Sequence, residues 1–334
     1  MYEDLWDRIV AGFRLDDHYS HPDVQRELNS YIKNQAYFDR IAHRATPFLY
    51  WMVEEVERRQ LPTELVLLPI IESAFDPRAV SNQRAVGLWQ IVAPTARMLG
   101  LQQDWWYDGR RDPIASTTAA LDYLETLYDQ FDQDWLLALA AYNAGEGNMR
   151  QALKHRDEET SFWDLRLPDE TQTHVPRLLA LADILAHAEH HEIELPEIPN
   201  AVYFRVVDPG FQIDLSIAAE TADLELAVLR DLNPGYLQWA THPDTQHRIL
   251  VPIQIASRFE TELVSIPQEQ RLIWDQYLIQ PGDTLSSIAR KLDTRVDVLQ
   301  RVNGLSSTRI IAGRSLLIPR KLPGQQLLLQ ATAQ

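Results

Sequence analysis

The chain has no cysteine among its 334 residues, which excludes disulfide staples, thiolate chemistry and cysteine-held metals. Positive charge is scarce as well: 31 Lys and Arg stand against 48 Asp and Glu, a net charge of −17. Nucleic-acid binding draws most of its affinity from Lys and Arg on phosphates, so this balance argues against that partner and against a polybasic membrane patch. No hydrophobic run approaches the length of a membrane span. The opening MYEDLWDRIV lacks a basic start followed by an apolar core, so any targeting segment of an exported protein is expected outside these residues. An acidic protein that works on a polymer needs neutral contacts: hydroxyls, amides and aromatic faces.

Hydrophobic residues make up 45% of the chain, enough for sizeable cores, and the length predicts two or three units. Helical spacing covers residues 1 to about 60, with Leu5, Ile9 and Phe13 recurring on one face and FLYWMVEEVERR apolar in its first half. Pro62 is expected in the first turn of the next helix. AVGLWQIV breaks the helical pattern around Gly87, and APTARMLG is a short helix between Pro94 and Gly100. A longer helix is expected from Ser116 as N-cap, with Leu121, Leu124, Tyr128 and Phe131 on one face. DWLLALAAYNAGEG predicts a buried helix capped by Asp134 and ending at Gly145 and Gly147, and residues 175–191 predict another helix.

Composition then shifts. HHEIELPEIPN, residues 190–200, has two prolines among acidic residues and is expected to be a linker. Beyond it lie two similar segments. LSIAAETADLELAVLRDLN (215–233) leads to LVP, and LSSIARKLDTRVDVLQRVN (285–303) leads to LIP. Each predicts strand, two short helices and strand, an internal repeat.

One stretch raises a chemical question. LLPIIESAFDP (67–77) is almost wholly apolar and ends in a carboxylate, Glu72. On a helix Leu65, Leu68 and Glu72 share a face, so Glu72 follows buried residues rather than pointing away from them. The negative end of the helix dipole and desolvation both favour the protonated carboxyl, as a general acid at a glycosidic oxygen requires. A glutamate that merely ends a helix has the same local sequence. The paired carboxylate of an ordinary glycosidase is hard to assign. Asp76 belongs to a helix-stop turn, and Asp104, Asp108 and Asp112 sit beside Arg110 and Arg111, where ion pairing is the simpler reading. One carboxylate suffices if the substrate supplies the internal nucleophile. Three clusters add weight to catalysis: ES (Glu72, Ser73), GLWQ (Gly87, Trp89, Gln90) and AYNAG (Tyr142, Asn143). They set small hydrogen-bonding groups beside aromatic or small residues, which suits an N-acetylated sugar.

With LPTELVLLPIIESAFDPRAVS, GLWQI, RRDPIASTTAAL and DWLLALAAYNAGEG in this order, the chain resembles the soluble lytic transglycosylase family over residues 1 to about 190. The resemblance implies a mainly α (α+β) protein with a lysozyme-like catalytic domain. It implies Glu72 as the single acid/base, with Ser73, Gln90, Tyr142, Asn143, Gly87 and Trp89 around the sugar. The family often has tyrosine in a motif like ETxxYVP; here ETQTHVP puts His174 at that position, which is also expected in the substrate site. The later repeat resembles LysM modules, which bind N-acetylglucosamine-containing glycans. YLIQPGDTLSSIARKLDTRVDVLQRVNGL fits well, and Gly282, Asp283, Thr284, Leu285 and Asn303 are its expected glycan-binding residues. The first copy has FQIDL where GDTL would stand and is expected to be a degenerate LysM-like spacer or docking surface.

The implied organisation is N-terminal helices (1–60), catalytic domain (61–190), linker (191–200), degenerate LysM-like domain (201–265), LysM domain (274–321) and tail (322–334). The implied reaction protonates the bridging oxygen of a MurNAc–GlcNAc bond, with the substrate's acetamido oxygen stabilising the oxocarbenium ion. Glu72 then takes the C6 hydroxyl proton, closing a 1,6-anhydro ring without water, metal or organic cofactor. The implied partner is the peptidoglycan glycan strand, bound by a monomer with no nucleic-acid role. The implied location is the periplasm, as an outer-membrane-anchored lipoprotein. Two other readings stay open: a goose-type-lysozyme-like hydrolase, and an inactive LysM wall-binding scaffold.

Overall fold

The computed structural model describes residues 2–154 and 160–319. The expected tail, 322–334, and the last residues of the expected LysM domain lie outside them. The chain is mainly helical and divides into two compact units: residues 1–104, 108–205 and 232–235 form the first, and residues 105–107, 206–231 and 236–334 the second. No helix among the described residues is long and apolar enough to cross a membrane.

The first unit begins with α1 (Leu5–Ala11), α2 (Pro22–Tyr31), α3 (Gln35–Ala45) and α4 (Leu49–Arg58). These amphipathic helices bury Leu5, Ile9, Leu49, Met52 and Val53, so the N-terminal segment is part of this unit's core. The apolar run that follows does not fold as one helix. Pro62 precedes a 3-10 turn, Thr63–Leu67, and only then does α5 (Leu68–Ser73) begin, with Pro69 in its first turn. Pro69 lacks the N–H that a continuous helix would need, and the first turn tolerates that loss. Leu65 therefore lies outside the helix that carries Glu72.

α6 (Ala93–Met98) is short, as expected, with Pro94 in its first turn. α7 (Pro113–Gln130) starts earlier than expected: Asp112, not Ser116, is the N-cap, its carboxylate accepting from the N–H groups of Ile114 and Ala115 at 2.9 and 2.8 Å. Ser116 is buried and its hydroxyl donates back to the Asp112 carbonyl. Asp134 caps α8 (Trp135–Ala144) as expected, but Gly147 falls inside α9 (Glu146–Leu153) instead of ending α8. α10 (Asp169–Ala186) is buried on most of its circumference and packs against α2, α8 and the 3-10 turn. A helix apolar nearly all round belongs in the centre of a bundle.

Residues 191–200 are not a free linker. Ile193 and Ile198 are buried, and the backbone pairs with the chain start: Leu5 N–H donates to Ile198 O at 2.8 Å and Asn200 N–H to Glu3 O at 2.9 Å. Two apolar anchors among acidic residues and prolines suffice to lay the segment onto the unit.

Two βααβ motifs lie mostly within the second unit. β1 (Phe204–Val207), α11 (Leu215–Thr221), α12 (Leu226–Leu232) and β2 (Ile249–Pro252) form the first, followed by α13 (Ile253–Val264). β3 (Trp274–Leu278), α14 (Leu285–Leu292), α15 (Val296–Val302) and β4 (Ser315–Pro319) form the second, with β3 and β4 antiparallel. Residues 105–107 join this unit because Trp105 and Trp106 cluster with Trp239, which in turn meets Trp274. The departure FQIDL keeps its structural role: Asp214 caps α11 through Ser216 N–H at 2.7 Å, as Thr284 caps α14 through Ser287 N–H at 3.0 Å.

The expected LysM glycan contacts turn out largely to be scaffold. Leu285 lies in the core. Asn303 is spent on backbone, donating to Leu299 O and Leu317 O at 2.9 and 2.8 Å and accepting from Leu317 N–H at 2.7 Å. Asp283 accepts from Tyr277 O–H and Gln280 N–H, which shapes the turn, while Gly282 and Thr284 face solvent. Asn303→Ala is expected to lower the local opening free energy around β4 by about 2 kcal/mol. Amide exchange at Leu317 N–H would then quicken by about thirtyfold; unchanged protection would show that the brace contributes nothing.

Candidate active site

Glu72 stands one residue before an abrupt helix stop. Ala74 (φ 48) and Phe75 (φ 59) are both left-handed, and their N–H groups close back onto Ile70 O and Pro69 O, each at 2.9 Å. Two successive non-glycine residues in this region cost about 1–2 kcal/mol each. The surroundings offset that cost. Phe75 is fully buried, Arg44 donates to Ala74 O and pairs with Asp76, both at 3.1 Å, and Tyr37 O–H donates to Ile70 O at 3.2 Å. Glu72 is thereby fixed with only 12% of its side chain exposed.

His174, from α10, meets it. Its Nε2 lies 2.8 Å from Glu72 Oε1, and its ring is more buried than the carboxylate. His174 Nδ1 is buried without a hydrogen-bond partner. An unpaired buried N–H is rarer than an unpaired acceptor, so the arrangement favours the tautomer with the proton on Nε2, donating to Oε1. Oε2 is then the oxygen left for chemistry.

The other motifs converge on this pair. Ser73 Oγ lies 3.0 Å from Pro69 O and 3.1 Å from Leu88 O, tying α5 to the GLWQ turn. Tyr142 O–H donates to Trp89 O in the same turn at 2.7 Å. Burial, and after it the charge of Glu72, push the Tyr142 phenol well above its ordinary value, so it stays protonated. Gln90 (φ 46) folds back, its side-chain amide donating to Gly87 O at 2.9 Å. Asn143 Oδ1 accepts from Thr171 Oγ1 at 2.8 Å, linking the end of α8 to α10.

Two expected sugar contacts cannot touch a sugar. Trp89 is fully buried, its indole N–H donating to Thr117 at 2.9 Å, and Gly87 is buried beneath the turn. Both build the turn instead of lining it. Thr171, Arg44 and Tyr37 were missed by sequence reasoning. Thr171 could have been found, since it precedes His174 by three residues and so shares its helix face. Three carboxylates that the sequence offered as partners are committed: Asp76 to Arg44, Asp108 to Arg110 at 2.8 and 3.0 Å, and Asp112 to the α7 cap. The arrangement offers one shielded carboxyl, Glu72, whose Oε1 is taken by His174.

Three family models match the chain. Transglycosylase SLT domain matches residues 50–163, LysM domain residues 277–319, and Lytic transglycosylase MltD, LysM-like domain residues 203–268. Membrane-bound lytic murein transglycosylase D of Escherichia coli strain K12 is 36% identical over 341 residues, covering 97% of this chain and 74% of its own. The chain belongs to the lytic murein transglycosylase family. Other relatives match over shorter stretches. Membrane-bound lytic murein transglycosylase F 1 of Alkalilimnicola ehrlichii is 29% identical over 41% of this chain and 27% of its own. Soluble lytic murein transglycosylase of Salmonella typhimurium is 32% identical over 33% of this chain and 18% of its own. The family's LysM-like description fits the first repeat, which is therefore a recognised variant of the module.

Proposed function

We propose that this peptidoglycan lytic transglycosylase cleaves the MurNAc–GlcNAc bond with Glu72 as its sole acid and base, leaving 1,6-anhydro ends. The observation that carries the reading is the Glu72–His174 contact at 2.8 Å, which occupies Oε1 and leaves Oε2 to deliver and recover the proton. In the first step Oε2–H protonates the bridging oxygen. The carboxylate that forms keeps its charge-assisted hydrogen bond from His174 Nε2–H, which strengthens as charge develops. In the second step Oε2 takes the C6 hydroxyl proton as that oxygen closes on the anomeric carbon. Hydrolysis would need a group to activate water, and Asp76, Asp108 and Asp112 are engaged elsewhere. Ser73, Gln90, Tyr142 and Asn143 frame the sugar site, Tyr142 through its oxygen lone pairs because its proton is spent on Trp89.

The domains act as 61–190 for catalysis with 1–60 built into the same unit, 201–265 as a LysM-like spacer or docking surface, and 274–321 for holding glycan. The 36% identical relative is a membrane-bound transglycosylase, which supports work at the cell envelope. The finer reading is a lipoprotein on the periplasmic face of the outer membrane, acting as a monomer. The test is digestion of purified peptidoglycan with mass spectrometry of the muropeptides. Products lighter by one water, without new reducing ends, are expected; reducing-end products would replace this reading with a hydrolase.

His174 acts through Glu72 as a positioning residue. His174→Phe removes the N–H from Oε1 and is expected to lower kcat by about 10–100-fold with KM little changed, the size of a lost charge-assisted hydrogen bond. His174→Tyr, which restores a donor, should recover part of the rate. Equal losses in both variants would point to packing instead.

A further inference from the structure

The far end of α10 carries a second cluster that the catalytic reading does not use. We propose that Asp183, His187 and His191 form a binding site for a divalent transition ion, with Zn²⁺ the best fit. Asp183 and His187 are one turn apart on the helix, and His187 is its C-cap. The chain then turns back, His191 N–H donating to His187 O at 3.1 Å, and Glu192 takes a left-handed conformation (φ 55). This brings a third ligand to the same spot. His187 Nδ1 lies 2.8 Å and His191 Nε2 3.4 Å from the same oxygen, Asp183 Oδ1, and the three ligand atoms all lie within 4.8 Å of one another.

Hydrogen bonding accounts for only part of the cluster: His187 Nδ1 and Asp183 Oδ1 share a hydrogen bond at 2.8 Å, and His191 is left out of it. His191 Nε2 is buried and has no hydrogen-bond partner, its 3.4 Å approach to Asp183 lacking the geometry of one. A buried ring nitrogen aimed at a carboxylate without a shared proton is costly unless a third party sits between them. Metal–ligand bonds of about 2.0–2.2 Å at tetrahedral angles separate ligand atoms by about 3.3 Å. The His191–Asp183 separation already meets that edge, and the His187–Asp183 contact has to open by about half an ångström to reach it. Asp183 is buried and, among the described residues, its ion pairs are with these two imidazoles.

Two imidazoles and a carboxylate suit a borderline ion such as Zn²⁺, whereas Mg²⁺ and Ca²⁺ favour all-oxygen shells. His187 is about half exposed (53%), which leaves a coordination position open to water. Glu189, Glu192, Glu194 and Glu197 surround the segment in sequence and favour a cation there. The cluster lies nine residues beyond His174 on α10, about 13 Å along the axis, so it is a site apart from Glu72. Its consequence is structural. An ion there neutralises the negative end of α10 and pins the turn that leads into the segment anchored by Ile193 and Ile198.

The test uses the full chain stripped with chelator. Zn²⁺ is titrated by calorimetry, the bound metal is counted by elemental analysis, and the melting temperature is followed. One equivalent of Zn²⁺, a raised melting temperature and no competition from Mg²⁺ are expected. His187→Gln and His191→Gln should each weaken binding by at least about 100-fold, while His190→Gln leaves it unchanged. His187→Gln alters a half-exposed cap and should keep full turnover on peptidoglycan, which shows that the fold is intact. No saturable one-to-one binding, or binding that survives both ligand variants, or binding lost with His190→Gln, would overturn the assignment.

Discussion

Glu72→Gln is expected to lower turnover of purified peptidoglycan by at least about 10³-fold, because in the proposed mechanism one group performs both proton transfers and general acid–base catalysis is worth about 10²–10⁴-fold. The substitution keeps the side chain's size, and the amide oxygen can still accept from His174 Nε2–H in place of Oε1. The fold and the affinity for glycan should therefore be unchanged, with the loss confined to kcat. Glu72→Asp separates charge from reach. It retains a carboxyl but draws it back by roughly one carbon–carbon bond, and misplacement by about 1 Å can cost about 10²-fold. Its rate should fall between those of wild type and Glu72→Gln. The measurement is soluble muropeptide release under single-turnover conditions, with sedimented-wall binding alongside. Turnover within tenfold of wild type in Glu72→Gln would move the acid elsewhere, and Asp76, four residues on, would be the first place to look.

How far this site was legible in the sequence depended on the kind of information each residue carries. The elements that carry Glu72, Ser73, Tyr142 and Asn143 were readable from their neighbours: an apolar run with a stop, and a capped helix that runs out at Gly145. Asp134 was readable as a cap because nothing competes with it. At α7 two caps competed, and Asp112 prevailed over Ser116 because its carboxylate reaches two N–H groups and Pro113 fits the first turn. The stop after Ser73 could be placed but not its form, since Ala74 and Phe75 are not residues that advertise a left-handed backbone; tertiary contacts from Arg44 and Tyr37 impose it. Trp89 and Leu285 were misassigned for one reason. A motif marks residues that a function needs without saying which are needed for contact and which for shape. The same holds for Asn303, whose amide copies a backbone partner. Residues 191–200 misled through composition, because two isoleucines outweigh a proline-rich acidic setting once a neighbouring groove accepts them. The division at residues 105–107, which sends two tryptophans to the second unit while Asp104 and Asp108 stay with the first, leaves no trace in local pattern at all.

Gly87→Ala is the substitution expected to do the most damage to the fold around the site. Gly87 has φ +84, and an added Cβ would lie 2.0 Å from Arg110 O and 2.9 Å from Arg110 C. The first penalty is conformational, about 1–2 kcal/mol for a side chain in left-handed backbone. The second is steric and larger, because the obstacle is backbone that has nowhere to go. Arg110 is clamped by three hydrogen bonds to Asp108, from its backbone N–H at 3.1 Å and its guanidinium at 3.0 and 2.8 Å, and Gly87 is held from the other side by its N–H to Ala79 O at 2.9 Å. Relief requires the GLWQ turn to shift. That turn supplies Leu88 O to Ser73, Trp89 O to Tyr142 and Gly87 O to Gln90, so movement there disperses the groups that frame Glu72. A loss of about 4 kcal/mol or more is expected, at the extreme of single substitutions, with turnover falling in the protein that remains folded. Gly100→Ala is the matched control, since Gly100 also has positive φ (+72) but open space where its Cβ would go. It should cost only the conformational penalty, about 1–2 kcal/mol. The difference in thermal midpoint between the two variants then measures the clash alone. Equal midpoints would mean that the turn yields freely, and the shape of the sugar site would have to be held by α5 and α8 without it.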